Sequence, residues 1–306
     1  MARTSQTRGF IGKAPVRLKP RSGGAPFWLG NVTSLTESYE LERTSRQNFQ
    51  EAGGAELDVS ERVTSYTGEM NVNDISPQNI ALSTRGTKTQ VAAGGVSGEA
   101  QEAWPDGAVI FDDIPDPDSP VTVAIAGGTW AADAEVALGT VIIDGTHAYA
   151  ATVAGTAGSV EPTWPTDGTT VADGAVTWKD LGLAALTLTT HYVRTVSGIH
   201  LTDATLALLD DASPLPLEVD YTKNPGWLIE LLTSAGEEYE VLVNGINEND
   251  SGNPHIVRYH RVKFSLTSGF ARIGNEFAEL PLSFTVLKAP EKVGEGVSSF
   301  ASVNMV

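Results

Sequence analysis

The chain has 306 residues, of which 41% are apolar, enough for one large or two modest domains and too many for general disorder. Cysteine is absent, which excludes disulfides, thiol nucleophiles and thiolate metal sites and fits a reducing compartment. The formal net charge is −18 and unevenly placed: residues 1–25 carry Arg3, Arg8, Lys13, Arg17, Lys19 and Arg21 with no acid, so the remainder is more acidic still.

Residues 1–25 read as a basic N-terminal arm. Its nearest partner is the acidic surface of a neighbouring copy, a reading preferred over nucleic acid because so acidic a body repels phosphates. Arg8, Lys13, Arg17 and Lys19 are the expected arm contacts. No apolar run approaches the roughly 20 residues of a membrane span, and no apolar block follows the arginines as in a signal peptide.

Val32–Leu41 alternates like a strand, with Leu35, Tyr39 and Leu41 on one side. Glu42–Arg62 is polar and glycine-marked and reads as a long loop rather than a tight hairpin. Val63–Asn73 is extended again, with Tyr66, Met70 and Val72 on one face. Ser76 and Pro77 are a helix start, N-cap and first position, and the short helix through Ile80, Ala81 and Leu82 ends at Gly86.

From Ala93 the texture loosens, and Asp112–Ser119 is an acidic turn broken by Pro115 and Pro117. Gly128–Thr190 is a separate compositional unit rich in Ala, Gly, Thr and Val. Its strand candidates, Val136–Ile143, Ala148–Ala154 and Ala175–Trp178, are divided by glycine turns. It reads as a small all-β module inserted into a host domain. The expected organisation is therefore an arm at 1–25, a discontinuous host domain at 26–127 and 191–290, the insert at 128–190 and a weakly patterned tail at 291–306.

The host resumes at His191–Ser197 and Ile199–Leu209, and continues through Trp227–Leu232 and Tyr239–Asn244. Two strands joined by a charged turn close it. Val262, Phe264 and Leu266 alternate with polar residues, as do Leu280, Leu282, Phe284 and Val286, so one face lies on a core. The chain reads as mainly β with one short helix.

Chemistry-bearing patterns are sparse. His255 and His260 are five apart, which puts them on opposite faces of a strand and argues against a shared metal. Asp112, Asp113, Asp116 and Asp118 are closely spaced, but the prolines break any calcium-loop pattern, and a solvated turn is the better reading. Triads, phosphate loops and dinucleotide fingerprints are missing. The expectation is a structural protein rather than an enzyme, with no cofactor and no metal. Trp164 and Trp178 in the insert are read first as its core, with weak glycan contact as their alternative use.

Taken in order, several blocks resemble the major tail tube proteins of long non-contractile-tailed bacteriophages, the siphophages. Phe27–Glu42 resembles the opening strand of that family, Glu61–Asn73 the strand after its long loop, and Asp74–Gly86 its short helix. Asp220–Tyr221, Glu238–Asn247 and Tyr259–Leu287 resemble the later strands. The WPTDGTTVADGAVTW stretch is similar to small immunoglobulin-like or carbohydrate-binding modules of phage tail and surface proteins.

The resemblance implies a host domain of two packed antiparallel sheets, a β-sandwich or barrel with a flanking helix, plus the inserted all-β domain. It implies a virion protein whose homo-hexameric rings stack into the hollow tail tube, made in the host cytoplasm. Its partners would be the tape measure protein, tail initiator and terminator proteins, and double-stranded DNA passing through the lumen without sequence-specific binding; no membrane is involved. By the same resemblance Glu42–Glu61 is the loop that touches the neighbouring ring, with Arg43, Arg46, Glu51 and Glu56 as its contacts. The rival expectations are a head–tail joining or decoration protein, a glycan-binding protein acting through the insert, and a hydrolase.

Overall fold

The computed structural model describes residues 9–50, 52–209, 213–249, 252–269 and 271–305. The chain divides into two compact units, Met1–Thr89 with Trp227–Val306, and Gln90–Gly226. The chain thus leaves the first unit near residue 90 and returns near residue 226, and the 128–190 stretch lies within the second.

In chain order, β1 (Gly12–Lys13), β2 (Val16–Pro20) and β3 (Phe27–Trp28) precede two long strands, β4 (Val32–Gln47) and β5 (Glu56–Val72). Helix α1 (Pro77–Ser83) and β6 (Thr87–Val91) follow. Then come β7 (Gly94–Ala103), β8 (Ala108–Ile110), β9 (Thr122–Ile125), β10 (Glu135–Val136), β11 (Val141–Asp144), β12 (His147–Val153) and β13 (Gly155–Thr156). Next are β14 (Thr170–Asp173), β15 (Val176–Leu183), β16 (Ala185–Leu186), β17 (Tyr192–Arg194), β18 (Gly198–Leu201), α2 (Asp203–Leu206) and β19 (Leu215–Lys223). The chain ends with β20 (Gly226–Glu230), β21 (Glu238–Asn247), β22 (Asn253–Phe264), β23 (Leu280–Val286) and β24 (Ala301–Met305).

The first unit is built on a nine-stranded sheet in the order β3-β2-β21-β22-β23-β5-β4, with β1 added to β21 and β24 to β22. Alternation decides which side is buried. Leu280, Leu282, Phe284 and Val286 on β23 are all buried, and they pack with Tyr66, Met70 and Val72 of β5, Val241 and Val243 of β21, and Val16 and Leu18 of β2. Gly68 makes room for this packing, since a Cβ there would lie within the Phe284 ring. Helix α1 is seated as its sequence requires: the Asn79 amide donates to Ser76 Oγ at 3.2 Å, and Pro77 occupies the first turn. The Asn79 side chain is buried and donates to the carbonyls of Leu29 and Asp74, both at 2.8 Å, tying the helix to the chain that enters β4.

The second unit carries a four-stranded sheet β16-β9-β19-β7 and a three-stranded sheet β17-β18-β8, packed around Val109, Val123, Ile199, Leu201, Leu217 and Val219. A further four-stranded sheet, β11-β12-β15-β14, has a small core of Ile142, Tyr149, Ala151, Val176 and Trp178, and it lends Val141, Ala148 and Leu181 to the larger core. The pairs β10-β13 and β20-β6 complete the strands.

Among the described residues there are thus six separate sheets, all open, and two short helices of seven and four residues. This overturns the expected pair of packed antiparallel sheets closing as a sandwich or barrel. The physical reason lies in the ladder itself. The half of β22 at His255–Tyr259 pairs with β24, and the half at Val262–Phe264 pairs with β23, so the sheet branches instead of folding back as a second layer. Its two ends, β3 and β4, remain edges.

Candidate functional site

The element that stands apart is the pair β4 and β5, of 16 and 17 residues. Residues 42–61, expected as a long loop, are instead the paired arms of an antiparallel hairpin whose register runs from Val32↔Val72 to Gln47↔Glu56. Only the tip, where the Asn48 amide donates to the Ala55 carbonyl at 2.8 Å, is a turn. Gly53 and Gly54 lie in the left-handed region there, with φ of 116° and 49°, which suits glycine and few other residues.

Along the arms, charges of opposite sign face one another. The Arg43 guanidinium meets Glu56 at 2.7 Å and Glu61 at 3.8 Å, and Arg62 meets Glu42 at 2.9 Å. Such exposed pairs are worth about 0.2–1 kcal/mol each, enough to favour the register but not to hold the hairpin alone. Arg46, opposite Asp58, makes no ion pair among the described residues. Glu51 lies outside the described residues.

What sets this hairpin apart is what it leaves bare. Phe49 at the tip is 89% exposed, and Tyr39, Leu41, Leu57, Val59 and Val63 along the arms are also exposed. Described residues cover them only in part, Tyr39 by Tyr66, while the base of the same hairpin is fixed in the core. Tyr66 lies against Tyr39 with ring centres 4.5 Å apart and the planes tilted by 33°, and Glu37 accepts hydrogen bonds from the hydroxyls of Tyr39 and Tyr259. Burial, then the hydrogen bond to Glu37, pushes the Tyr259 hydroxyl well above the usual phenol range, so it stays a donor. A rigid base thus carries an apolar ribbon into solvent. Contiguous exposed apolar surface of this kind marks an interaction site.

The expected arm is largely structured within its own unit. Lys13 sits in β1 opposite Ile246, and Arg17 and Lys19 sit in β2 opposite Leu242 and Glu240. Arg17 lies over the Trp28 ring at 5.8 Å. Arg8 lies outside the described residues. The tail likewise contributes β24, paired with β22.

The tryptophans of the second unit divide by role. Trp178 is 1% exposed and offers no face to a glycan. Its indole N–H donates to Asp173 at 3.0 Å, and Trp130 donates to the same oxygen at 2.8 Å. Burial works to raise the Asp173 carboxyl, but these bonds and one from the Gly158 amide overcome it and hold the group below the usual carboxylate range. Trp164 is half-buried, with its ring 4.5 Å from Tyr149 and its N–H on Glu161.

At the acidic turn, the Arg194 guanidinium donates to the carbonyls of Asp116, Pro117 and Ser119, so a side-chain cation already serves the inward oxygens. His255 and His260 are both buried, and among the described residues no three His, Asp or Glu side chains gather as a metal site. Among the described residues no helix is long and apolar enough to cross a membrane.

The expected contacts Arg43, Arg46 and Glu56 are therefore gathered on the β4–β5 hairpin, whereas Lys13, Arg17 and Lys19 lie on β1 and β2 of the same unit. The exposed apolar residues Phe49, Leu57 and Val59 were missed by reading the stretch as a loop. The alternation of Leu57, Val59 and Val63 with Asp58 and Arg62 was the available signal.

No curated protein matches the chain. Two overlapping segments, residues 9–140 and 126–304, match one family across nearly the whole length, and the chain belongs to that family, described as protein of unknown function UCP028589.

Proposed function

We propose that this chain is a structural virion protein whose copies assemble as stacked hexameric rings forming the hollow tail tube of a long non-contractile-tailed phage. The observation that carries the reading is the β4–β5 hairpin, an anchored ribbon whose apolar side chains the described residues leave largely exposed. Such a surface costs solubility unless another molecule buries it, and repeated self-association of one chain is the simplest way to do so. The unpaired outer edge of β4 adds backbone donors and acceptors that a neighbouring copy can satisfy. The resemblance of the strand and helix blocks to siphophage tail tube proteins supports the same reading. In it the chain has no catalytic task, and its acidity lets DNA pass without sticking.

Negative-stain electron microscopy of the concentrated protein tests this. Hollow tubes or stacked six-fold rings are the expected result. Single rings that refuse to stack would replace the reading with a head–tail joining protein. Monomers that stay monomeric even when mixed with phage tail initiator complexes would overturn it.

A further inference from the structure

We infer that segment 271–279 is the surface that receives the β4–β5 hairpin tip of a second copy, head to tail; this rests on the self-assembly reading above. The connection between β22 and β23 is longer than the roughly 12 residues usual for a structureless loop, and such loops are commonly functional. It is pinned at its start, where the Thr267 amide donates to the Ser83 carbonyl at 2.8 Å and its hydroxyl to the Pro281 carbonyl at 3.0 Å. Beyond that anchor the chain presents Ile273, 97% exposed, and Phe277, 94% exposed. Beside them an open basin is lined by Asn71, Ala271, Phe277, Ala278, Glu279 and Pro281.

Position selects the partner. Leu280 pairs with Val72, and Val72 with Val32, so 271–279 lies at the base of the hairpin. The tip follows Gln47↔Glu56 at the opposite end, roughly 50 Å away at the rise of an extended strand. One copy cannot bring these two apolar patches together, whereas a second copy aligned with the first presents each to the other. Contacts between unlike patches on identical molecules are heterologous and repeat, giving open stacks rather than closed dimers. Charge agrees on balance: the segment carries Glu276 and Glu279 against one cation, Arg272, and Arg46 near the tip makes no ion pair among the described residues. The geometry accordingly places Phe49 against Phe277 and Ile273, with Arg46 facing the two carboxylates.

The absence of native cysteine makes the test direct. The full chain carrying both Gln50→Cys and Asn275→Cys, which leave Phe49 and Phe277 in place, incubated concentrated with oxidised glutathione, should give a ladder of covalent dimers, trimers and larger species on a non-reducing gel. Each single variant should remain monomeric. Both positions are solvent-exposed, so folding is not at stake. Monomers from the double variant would overturn the contact, and dimers from Gln50→Cys alone would replace it with a tip-to-tip one. As a second readout, Arg46→Glu should weaken self-association about threefold in sedimentation velocity, and adding Glu276→Arg should restore it. Absence of restoration counts against the pairing. Electron microscopy of the same samples separates the two readings: tubes without a ladder overturn this contact alone, and a ladder without rings or tubes overturns the tail tube role alone.

Discussion

At the residue scale the most exacting position in the first unit is Gly68. Its missing side chain is the space that the Phe284 ring fills, so Gly68→Ala should cost about 1–3 kcal/mol by overpacking and lower the melting temperature measurably. In the second unit, Trp178 and Asp173 act together. Trp178→Ala should cost about 3–5 kcal/mol in chemical denaturation, whereas the half-buried Trp164 should cost less. Asp173→Asn keeps the volume but turns an amide toward indole donors, and about 1–3 kcal/mol of loss is expected. The pH dependence has a definite sign. Asp173 and Asp180 are both buried with folded pKa values below the usual carboxylate range; for each, burial works upward and the hydrogen bonds they accept prevail. Their stabilisation is therefore complete above about pH 4 and is lost as pH falls through the depressed folded values. Tryptophan fluorescence against pH should show loosening only below that range, and an Asp173→Asn variant should lose part of the acid transition.

At the element scale, the hairpin is separable from the core that anchors it. Replacing residues 43–61 with a two-residue Asn-Gly turn joins Glu42 to Arg62, which already face each other across the ladder. Because the described side chains removed are exposed apart from the half-buried Asn48, and Tyr66, Met70 and Val72 stay, the melting temperature should move by no more than about 4 °C. Ring stacking in electron microscopy should vanish. A large fall in melting temperature would show that the hairpin is part of the fold, and tubes that persist would remove it from the assembly surface. Strand β23 was legible from its sequence because Leu280, Leu282, Phe284 and Val286 all enter one core. Residues 42–61 were read as a loop because neither face of the ribbon is buried among the described residues, so the pattern that betrays a strand was diluted by paired charges.

At the scale of the whole molecule, the net charge of −18 opposes any self-association. Raising ionic strength from about 0.01 to 0.15 M shortens the Debye length from about 30 to 8 Å, so assembly followed by light scattering should accelerate. A fall in rate would mean that specific ion pairs such as the one proposed for Arg46 outweigh the general repulsion.

Alternation, capping residues and composition determined a mainly β chain, the seat of helix α1 at Ser76–Pro77, and the buried face of the closing strands, because these depend on side-chain spacing within a few residues. The tertiary structure decided the rest. That β22 divides its pairing between β23 and β24, that Lys13, Arg17 and Lys19 sit in the sheet, that Trp178 is enclosed, and that Phe49 and Phe277 are bare at opposite ends of one sheet all depend on partners far apart in sequence. A local pattern records which side of a strand is apolar; only the folded chain settles whether anything covers it.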